Sequence, residues 1–250
     1  MRIAELDQFF IDLNPAVRQA ESRDGLQYGS RDAEITGVAT THTATTHVIH
    51  QAIDLGCNII ITHDAIFYGA GTDKVTTEKS RLLEEHNTAI YRLHDLWEDY
   101  KDYGIVDSWA GTLGLGDPEE VRGFHKAYDV PTQFAVDFAK RVRETMGLGV
   151  VRVAGDLQTS VSRVGLGPGE HGQLEDLRIC MEMGANCFLA GESSEWQTPR
   201  YAIDAGICMM TVGHTESENP GMEKLAEFLK QHFRDLRVEF LDAGNVYNYV

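Results

Sequence analysis

The sequence has few basic residues and no long apolar run. Its 250 residues include 22 lysines and arginines against 39 aspartates and glutamates, which gives a formal net charge of −17. A chain this acidic repels phosphate backbones, so nucleic acid is disfavoured as a partner. No apolar stretch approaches the roughly 18–20 residues of a membrane-spanning helix, and the N-terminal MRIAELDQFFIDLNP indicates an amphipathic helix rather than a signal peptide. We therefore expect a cytoplasmic protein without membrane contact.

Cysteine pairs and the common catalytic motifs are also missing. The four cysteines, Cys57, Cys180, Cys187 and Cys208, form no CxxC pair and lie among apolar residues, which indicates small buried side chains rather than a zinc ribbon. Reduced thiols fit a cytoplasmic protein. No GxSxG motif is present. The glycine-rich GLGPGEHG at 165–172 lacks the lysine and the serine or threonine of a phosphate-binding loop, so we interpret it as a flexible connection.

Strand-like and helix-like segments alternate through almost the whole chain. The sequence predicts strands at 35–40, 58–62, 88–92, 150–154, 161–165, 186–191, 206–213 and 237–241 and helices at 45–56, 77–87, 173–183, 197–205 and 218–232. Repeated β-then-α units favour an α/β fold with substantial parallel pairing. We expect two similar, interleaved α/β lobes, 1–125 and 126–250, with mixed, largely parallel sheets. The C-terminal segment is expected to be able to pack back on the first lobe.

Two segments of the chain follow the same local plan. The stretches AIDLGCNIIITHDA and AIDAGICMMTVGHTE each run from a helix end through an apolar strand to a histidine. This local similarity places His63 and His214 at equivalent strand ends. In open α/β sheets ligands bind beyond the carboxyl ends of the strands, so these two histidines are the first candidates for a site.

His63 and Asp64 form the first candidate pair, and two interpretations of it remain open. If the strand ends here, both side chains can turn toward one cavity, where an imidazole and a carboxylate are both able to bind metal ions. If the pair instead forms a capped turn, the Asp64 carboxylate accepts backbone N–H bonds and the pair has a structural role only. The pair alone does not decide between the two.

His214 and Glu218 form the second pair, in VGHTESENPG. Their spacing of four residues places them on one side of a helical turn. Glu218 also lies near a predicted helix start, where either Ser217 is the N-cap or Asn219 is the N-cap and Pro220 takes the first position. The helix dipole favours an acidic residue there without any ligand role. The dipole does not explain His214, which directly follows an apolar strand and a glycine.

A third strand end carries the cluster YRLHDLWEDY. His94, Asp95, Glu98 and Asp99 follow this strand, and a solvated acidic helix would account for them. Alternatively, one of the carboxylates faces the same cavity as the other candidates. Two-metal sites hold ions about 3.5–4 Å apart, need several ligands and activate water as a nucleophile. The convergence of three strand ends therefore predicts a pair of divalent cations.

Other polar groups are weaker candidates. His42, His47 and His50 are expected on the surface, since His47 and His50 lie three residues apart on the exposed side of a predicted helix. Glu192 and Glu195 belong to GESSEW, which follows a predicted strand. They are expected to line the opening of the same cavity, as candidate catalytic carboxylates that move protons.

Together these segments resemble the NIF three-like family, whose bacterial members are named homologues of GTP cyclohydrolase 1 type 2. The resemblance covers most of the chain. It is carried by DGLQYG (24–29), IIITHDAIF, IYRLHDLWE, FLAGESSEW and the closing VEFLDAGNVYNYV. The most specific segment is VGHTESENPGMEKLAEFL, which is similar to the family's GHxxSE helix start.

The resemblance implies two divalent metal ions in the cleft between the two lobes, and self-association into a homohexameric toroid. The implied metal ligands are His63, Asp64, Glu98, His214 and Glu218. Asp64 stands where the family has a second histidine, and Glu98 stands where it has an aspartate, with Asp95 or Asp99 as alternatives if the register slips. The ions would be zinc, iron, manganese or magnesium, and the oxygen-rich ligand set favours the last three.

Three functional hypotheses follow. The first is a dinuclear-metal-dependent hydrolase of an unidentified small molecule, for example a nucleotide or a cyclic amidine. In it the ions make water more acidic and polarise a carbonyl, amidine or phosphoryl group. The second is a non-catalytic metal-binding or scaffolding protein that uses the same ligands in a toroidal assembly. The third is a plain α/β domain with a degenerate site, which the histidine-to-aspartate change at Asp64 favours.

Overall fold

The computed structural model describes residues 1–14, 22–67 and 73–249. The chain forms two compact units, and neither is a single stretch of sequence. The first unit comprises Met1–Tyr103 and Met222–Gly244, and the second comprises Gly104–Gly221 and Asn245–Val250. The boundary between the units lies at residues 103 and 104 rather than at the expected 125 and 126. The stretch Met222–Gly244 groups with the first unit, on which the C-terminal segment was expected to be able to pack.

Helices and strands alternate along the described chain. The first eleven elements are α1 (Ile3–Leu13), β1 (Gly25–Tyr28), β2 (Val38–Thr41), α2 (Thr46–Asp54), β3 (Ile59–Thr62), α3 (Lys74–Glu85), β4 (Ala89–Arg92), α4 (Asp95–Glu98), α5 (Ile105–Thr112), β5 (Glu120–Arg122) and β6 (His125–Phe134). The others are α6 (Ala135–Thr145), β7 (Arg152–Ala154), β8 (Ser160–Gly167), α7 (Leu174–Glu182), β9 (Cys187–Ala190), α8 (Thr198–Asp204), β10 (Cys208–Thr211), α9 (His214–His232) and β11 (Val238–Phe240). Among the helices in the described ranges, none has the length and apolar character needed to cross a membrane.

The first unit contains a five-stranded mixed sheet in the order β1-β4-β3-β2-β11. Strands β4, β3, β2 and β11 are parallel, and β1 pairs antiparallel with β4. Every residue of β2 and β3 is buried, as expected for parallel strands covered on both faces. Helix α2 begins after Thr45, whose Oγ1 accepts the N–H of Val48 and so caps the helix.

The second unit contains a six-stranded mixed sheet in the order β5-β6-β8-β9-β10-β7. Strands β8, β9 and β10 are parallel, and the remaining pairings are antiparallel. Successive residues of β9 point to opposite faces, so Cys187 and Leu189 pack in one apolar cluster and Phe188 and Ala190 in another. Burial on both faces explains the continuous apolar runs of the sequence. All four cysteines are buried and unbridged, as predicted.

The two sheets repeat one arrangement of strands. In the first, the antiparallel edge strand β1 precedes the parallel strands β2, β3 and β4 and pairs with the last of them. In the second, the antiparallel edge strand β7 precedes β8, β9 and β10 and again pairs with the last. The prediction of two similar α/β units with mixed sheets is therefore confirmed.

Helix α9 begins at His214, earlier than the predicted start near residue 218. Ser217, one of the predicted N-caps, lies inside the first turn, where its Oγ donates to the His214 carbonyl oxygen and accepts the N–H of Gly169. Pro220, predicted at the first helical position, lies within the helix and leaves it without one N–H donor. From Met222 onward the helix belongs to the first unit.

The glycine-rich connection after β8 is tightly packed, which differs from the flexible connection that we expected. The Gly169 carbonyl oxygen accepts the N–H of Glu192 at 2.9 Å, and the Gly191 N–H donates to the Gly167 carbonyl oxygen at 2.8 Å. A Cβ atom added at Gly191 would lie 2.6 Å from the Gly169 nitrogen and 2.7 Å from its oxygen. Glycine is needed at position 191 because two backbones meet there without room for a side chain.

We expect Gly191→Ala to lower the free energy of unfolding by about 1–3 kcal/mol, because the added methyl group overlaps backbone atoms that cannot rotate away. The matched control is Gly111→Ala in helix α5, where an added Cβ meets no atom within 4 Å among the described residues. Since alanine favours a helix over glycine, the control should be neutral or stabilised by up to about 1 kcal/mol. Urea unfolding curves followed by circular dichroism measure both. Equal stability of the two variants would contradict the packing at Gly191.

Candidate functional site

Three histidines lie side by side at one edge of the first sheet. His42, His63 and His94 follow the parallel neighbours β2, β3 and β4 closely, so the strands deliver them to the same carboxyl edge. The rings of His63 and His94 are stacked, with centroids 4.4 Å apart and planes at 8°. The centroids of His42 and His63 are 6.1 Å apart. Each strand thus contributes one imidazole to this edge.

His63, His94 and Glu98 form a compact set of ligand atoms, called here the first ligand group. Glu98 Oε1 lies 3.5 Å from His63 Nε2 and 3.8 Å from His94 Nε2. Each residue offers one ligand atom, and the three atoms lie within 4.8 Å of one another. Ligands bound to one zinc-like ion at about 2.0–2.2 Å would be separated by roughly 3.3 Å, so small side-chain movements suffice to hold an ion. The donor set therefore fits a divalent cation.

Hydrogen bonds to the other ring nitrogens fix how the two histidines face this group. His63 Nδ1 lies 3.1 Å from the Leu93 carbonyl oxygen, and His94 Nδ1 lies 3.0 Å from Asp95 Oδ1. A carbonyl or carboxylate oxygen can only accept, so in each neutral ring Nδ1 carries the proton. The lone pair is then on Nε2, which faces Glu98. Metal-binding histidines are oriented in this way by acceptors behind them.

The electrostatics around α4 favour the neutral, ligating form of His94. Burial lowers the pKa of His94, and the neighbouring His63 lowers it further. Burial by itself would raise the pKa of Asp95, but hydrogen bonds from the Arg23 N–H and from His94 outweigh it and lower the pKa. Asp24 accepts the N–H groups of His94 and Leu96 and so secures the start of α4.

Asp64 lies beside the first ligand group. Its Oδ2 atom is 3.8 Å from His42 Nε2, and its Oδ1 atom is 3.7 Å from Arg92 Nη2. His42 is only 2% exposed, which corrects the expectation of a surface residue, whereas His47 and His50 are exposed as predicted. The reason is that His42 directly follows the buried strand β2 and does not lie on helix α2.

The second unit carries a similar arrangement at the start of α9, called here the second ligand group. His214 Nε2 lies 3.4 Å from Glu218 Oε2, and His214 Nδ1 lies 3.1 Å from Glu192 Oε1. The Glu218 side chain is 3% exposed, so a negative charge on it has to be offset by hydrogen bonds or by a cation. Gly169 lies against both His214 and Glu218, where a Cβ atom would collide with the glutamate. The packed glycine loop thus forms one wall of this group.

The strand order shows which histidines are equivalent in the two units. His94 follows β4 and His214 follows β10, and each of these strands pairs with the antiparallel edge strand of its sheet. Each histidine faces a glutamate four residues later, and each has a carboxylate at Nδ1. The local similarity of sequence had matched His214 with His63. The topology corrects this match, because His63 follows β3, the second of the strands β2, β3 and β4. Its counterpart β9, the second of β8, β9 and β10, is followed by Glu192 instead.

Residues 1–245 match the family described as Duf34/NIF3 (NGG1p interacting factor 3). The chain belongs to the Duf34/NIF3 family. The resemblance drawn from the strand-end motifs and the GHxxSE helix start is thereby confirmed.

Relatives of this Duf34/NIF3 chain carry the name GTP cyclohydrolase 1 type 2 homolog. The protein from Clostridium perfringens is 23% identical over 255 residues, which cover 96% of this chain and 95% of the relative. The protein from Chlamydia pneumoniae is 26% identical over 256 residues, covering 93% of this chain and 94% of the relative. The likeness therefore extends over nearly the whole length of each protein.

Solved structures of similar proteins share the fold. A crystal structure of a Staphylococcus aureus protein superposes with a TM-score of 0.88 at 19% identity, covering 100% of this chain and 99% of the other. Reduced HcgD from Methanocaldococcus jannaschii gives a TM-score of 0.80 at 19% identity, covering 96% and 98%. At such identities the agreement concerns the fold alone.

The structure of this Duf34/NIF3 chain brings some predicted site residues together and adds others. His63 meets Glu98 in one unit, and His214 meets Glu218 in the other. His94 was not among the predicted ligands, although its spacing of four residues from Glu98 repeats that of His214 and Glu218. Glu195, one candidate catalytic carboxylate, is 82% exposed and lies 3.3 Å from Arg152 Nη1.

Removing a member of the first ligand group should remove bound metal. We expect His63→Ala and Glu98→Gln each to abolish retention of one divalent cation after reconstitution with Mn²⁺ or Zn²⁺, measured by elemental analysis. Asp95→Ala should weaken metal affinity by about 10–100-fold, because it removes the acceptor that orients His94. His47→Ala, on the exposed face of α2, is the matched control and should retain wild-type metal content. Full metal content in the first two variants would exclude the assignment.

Proposed function

We propose that this Duf34/NIF3 protein is a dinuclear-metal-dependent hydrolase that binds two divalent cations and acts on a small molecule. The observation that carries the proposal is the repeated orientation of a histidine between two carboxylates. In each unit Nε2 faces a glutamate four residues later, while Nδ1 is held by a second carboxylate, Asp95 or Glu192. A purely structural histidine needs only one such partner. Few protein ligands per ion would leave positions open for water and substrate, as in catalytic metal sites.

The proposed ligands are His63, Asp64, Glu98, His214 and Glu218, together with His94. The set contains both imidazole and carboxylate donors, which suits zinc, iron, manganese and magnesium to different degrees. When bound, such ions act as Lewis acids on a carbonyl, amidine or phosphoryl group and make water more acidic. The protein's own part is to orient the imidazoles and to supply negative charge that retains the cations.

Glu192 is the best placed of the candidate carboxylates to move a proton. Its Oε1 atom accepts from His214 Nδ1, and half of its side chain is exposed, so it reaches both the second ligand group and solvent. Glu195 contacts Arg152 instead and is mostly exposed. We therefore assign the general acid–base role to Glu192.

Metal-dependent turnover tests the proposal. The protein reconstituted with Mn²⁺, Fe²⁺, Zn²⁺ or Mg²⁺ is screened against nucleotides, cyclic amidines and generic phosphoesters. We expect turnover that chelation abolishes and that the double variant His63→Ala, His214→Ala lacks, together with its bound metal. Turnover that persists in this metal-free double variant would contradict the assignment.

The Glu192→Gln variant separates metal binding from proton transfer. Glutamine keeps an oxygen that can accept from His214 but cannot take up a proton. We expect metal content to be retained and kcat to fall by about 10²–10⁴-fold. Glu195→Gln should leave kcat within a few fold. A larger loss in Glu195→Gln than in Glu192→Gln would transfer the role to Glu195.

A second candidate function is a non-catalytic metal-binding or scaffolding protein. The family description, NGG1p interacting factor 3, names an interaction with another protein, and this favours the candidate. We also propose self-association into a homohexamer, which fits a scaffold as well as an enzyme. Light scattering should then give six times the chain mass of 27.9 kDa. Stoichiometric metal with no turnover on any substrate class would favour this second function.

A further inference from the structure

Two arginines contact members of the first ligand group, Arg92 at His63 and Arg23 at His94. Arg92 ends strand β4, and its Nε–H donates to the His63 carbonyl oxygen at 3.0 Å. Its side chain is 18% exposed, so a partly buried cation lies next to a candidate metal ligand. The bond to the backbone holds the guanidinium at its Nε atom, and Nη2 lies 3.7 Å from Asp64 Oδ1.

Arg23 approaches the same group from another segment. Its backbone N–H donates to Asp95 Oδ2 at 2.7 Å, which fixes where its side chain begins. Its Nη1 atom lies 3.4 Å from His94 Nε2, a long contact for a hydrogen bond. The side chain is 59% exposed, so the guanidinium can turn toward a ligand that arrives from solvent.

Charge neutralisation of the nearby carboxylates does not account for this pair of arginines. The Arg92–Asp64 separation is 3.7 Å and the Arg23–Asp95 separation is 4.0 Å. Charge-assisted hydrogen bonds between such groups are about 2.7–2.9 Å long, so neither guanidinium is engaged by its carboxylate at bonding distance.

We propose that Arg23 and Arg92 form an anion clamp beside the first ligand group, and that the substrate carries a phosphate or carboxylate. This inference rests on the proposed function and narrows its substrate class to small oxyanions. The planar guanidinium fork matches both anions and would hold them in one orientation relative to His63, His94 and Glu98. In a chain with a net charge of −17, two converging arginines are a local exception that favours an anion where the remaining surface repels it.

Calorimetric titration with inorganic phosphate and with acetate tests the clamp on the full-length protein, metal-free and Mn²⁺-loaded. We expect Arg23→Gln and Arg92→Gln each to weaken binding of the preferred anion by about tenfold or more, as expected for loss of a charge-assisted hydrogen bond. Comparison of the two anions decides between a phosphate and a carboxylate. Arg23→Gln changes an exposed side chain, so it keeps the test valid if Arg92→Gln does not fold.

Arg81→Gln is the matched control. Arg81 lies in α3 of the same unit and is bound to Glu78 and Glu85 away from the ligand group. Its replacement should leave anion affinity unchanged. Wild-type affinity in Arg23→Gln, an equal loss in Arg81→Gln, or no binding of either anion by the wild-type protein would overturn the clamp.

Failure of the clamp is distinguishable from failure of the proposed function. Elemental analysis of the same samples gives metal content independently of anion binding. A protein that retains metal but binds neither anion overturns the clamp alone. A protein that binds anions through both arginines but retains no metal supports the clamp and overturns the metal-dependent hydrolase.

Discussion

The hydrogen bonds at Nδ1 of His63, His94 and His214 determine what these side chains can do. An acceptor behind each ring places the proton on Nδ1 and the lone pair on Nε2, and so turns an imidazole into a ligand. The fold supplies each acceptor by a different route. For His63 it is the carbonyl oxygen of Leu93, just past the end of the neighbouring strand β4, for His94 a carboxylate at the start of α4, and for His214 a carboxylate after β9. The strand register and the helix starts thereby determine which tautomer each of these histidines adopts.

Much of this fold could be predicted from the sequence, because its signals are local. Apolar runs followed by helix patterns gave the parallel strands, and the polar residues just after them gave His63, Glu98, His214 and Glu218. Two other features left no clear signal in the local sequence pattern. The hairpin of β5 and β6 is hard to predict because β6 contains Pro131, and a proline normally argues against a strand. The proline lies where the pairing of β6 with β8 changes register. The equivalence of His94 with His214 follows from which strand pairs with the antiparallel edge strand, and no local motif records that pairing.

Close backbone approach is the other property that the sequence conceals. Glycines in GLGPGEHG suggested freedom, since glycine is common where a chain is flexible. The same residue type is required where two backbones touch, and Gly167 and Gly169 accept hydrogen bonds from the loop after β9. Rigidity and flexibility therefore have the same local signature here. Only the position of Gly191 and Ser217 opposite this segment distinguishes the two.

Helix α9 has a consequence for how the protein is made. The helix starts in the second unit and ends in the first, and β11 then pairs Val238 with Val38. The sheet of the first unit therefore remains one strand short until Val238–Phe240 has left the ribosome. Its closure joins Val38 to Val238 and carries a large entropic cost, whereas the second sheet draws all its strands from one continuous stretch. During synthesis the second unit can thus complete its sheet before the first, which reverses the usual order from the N-terminus.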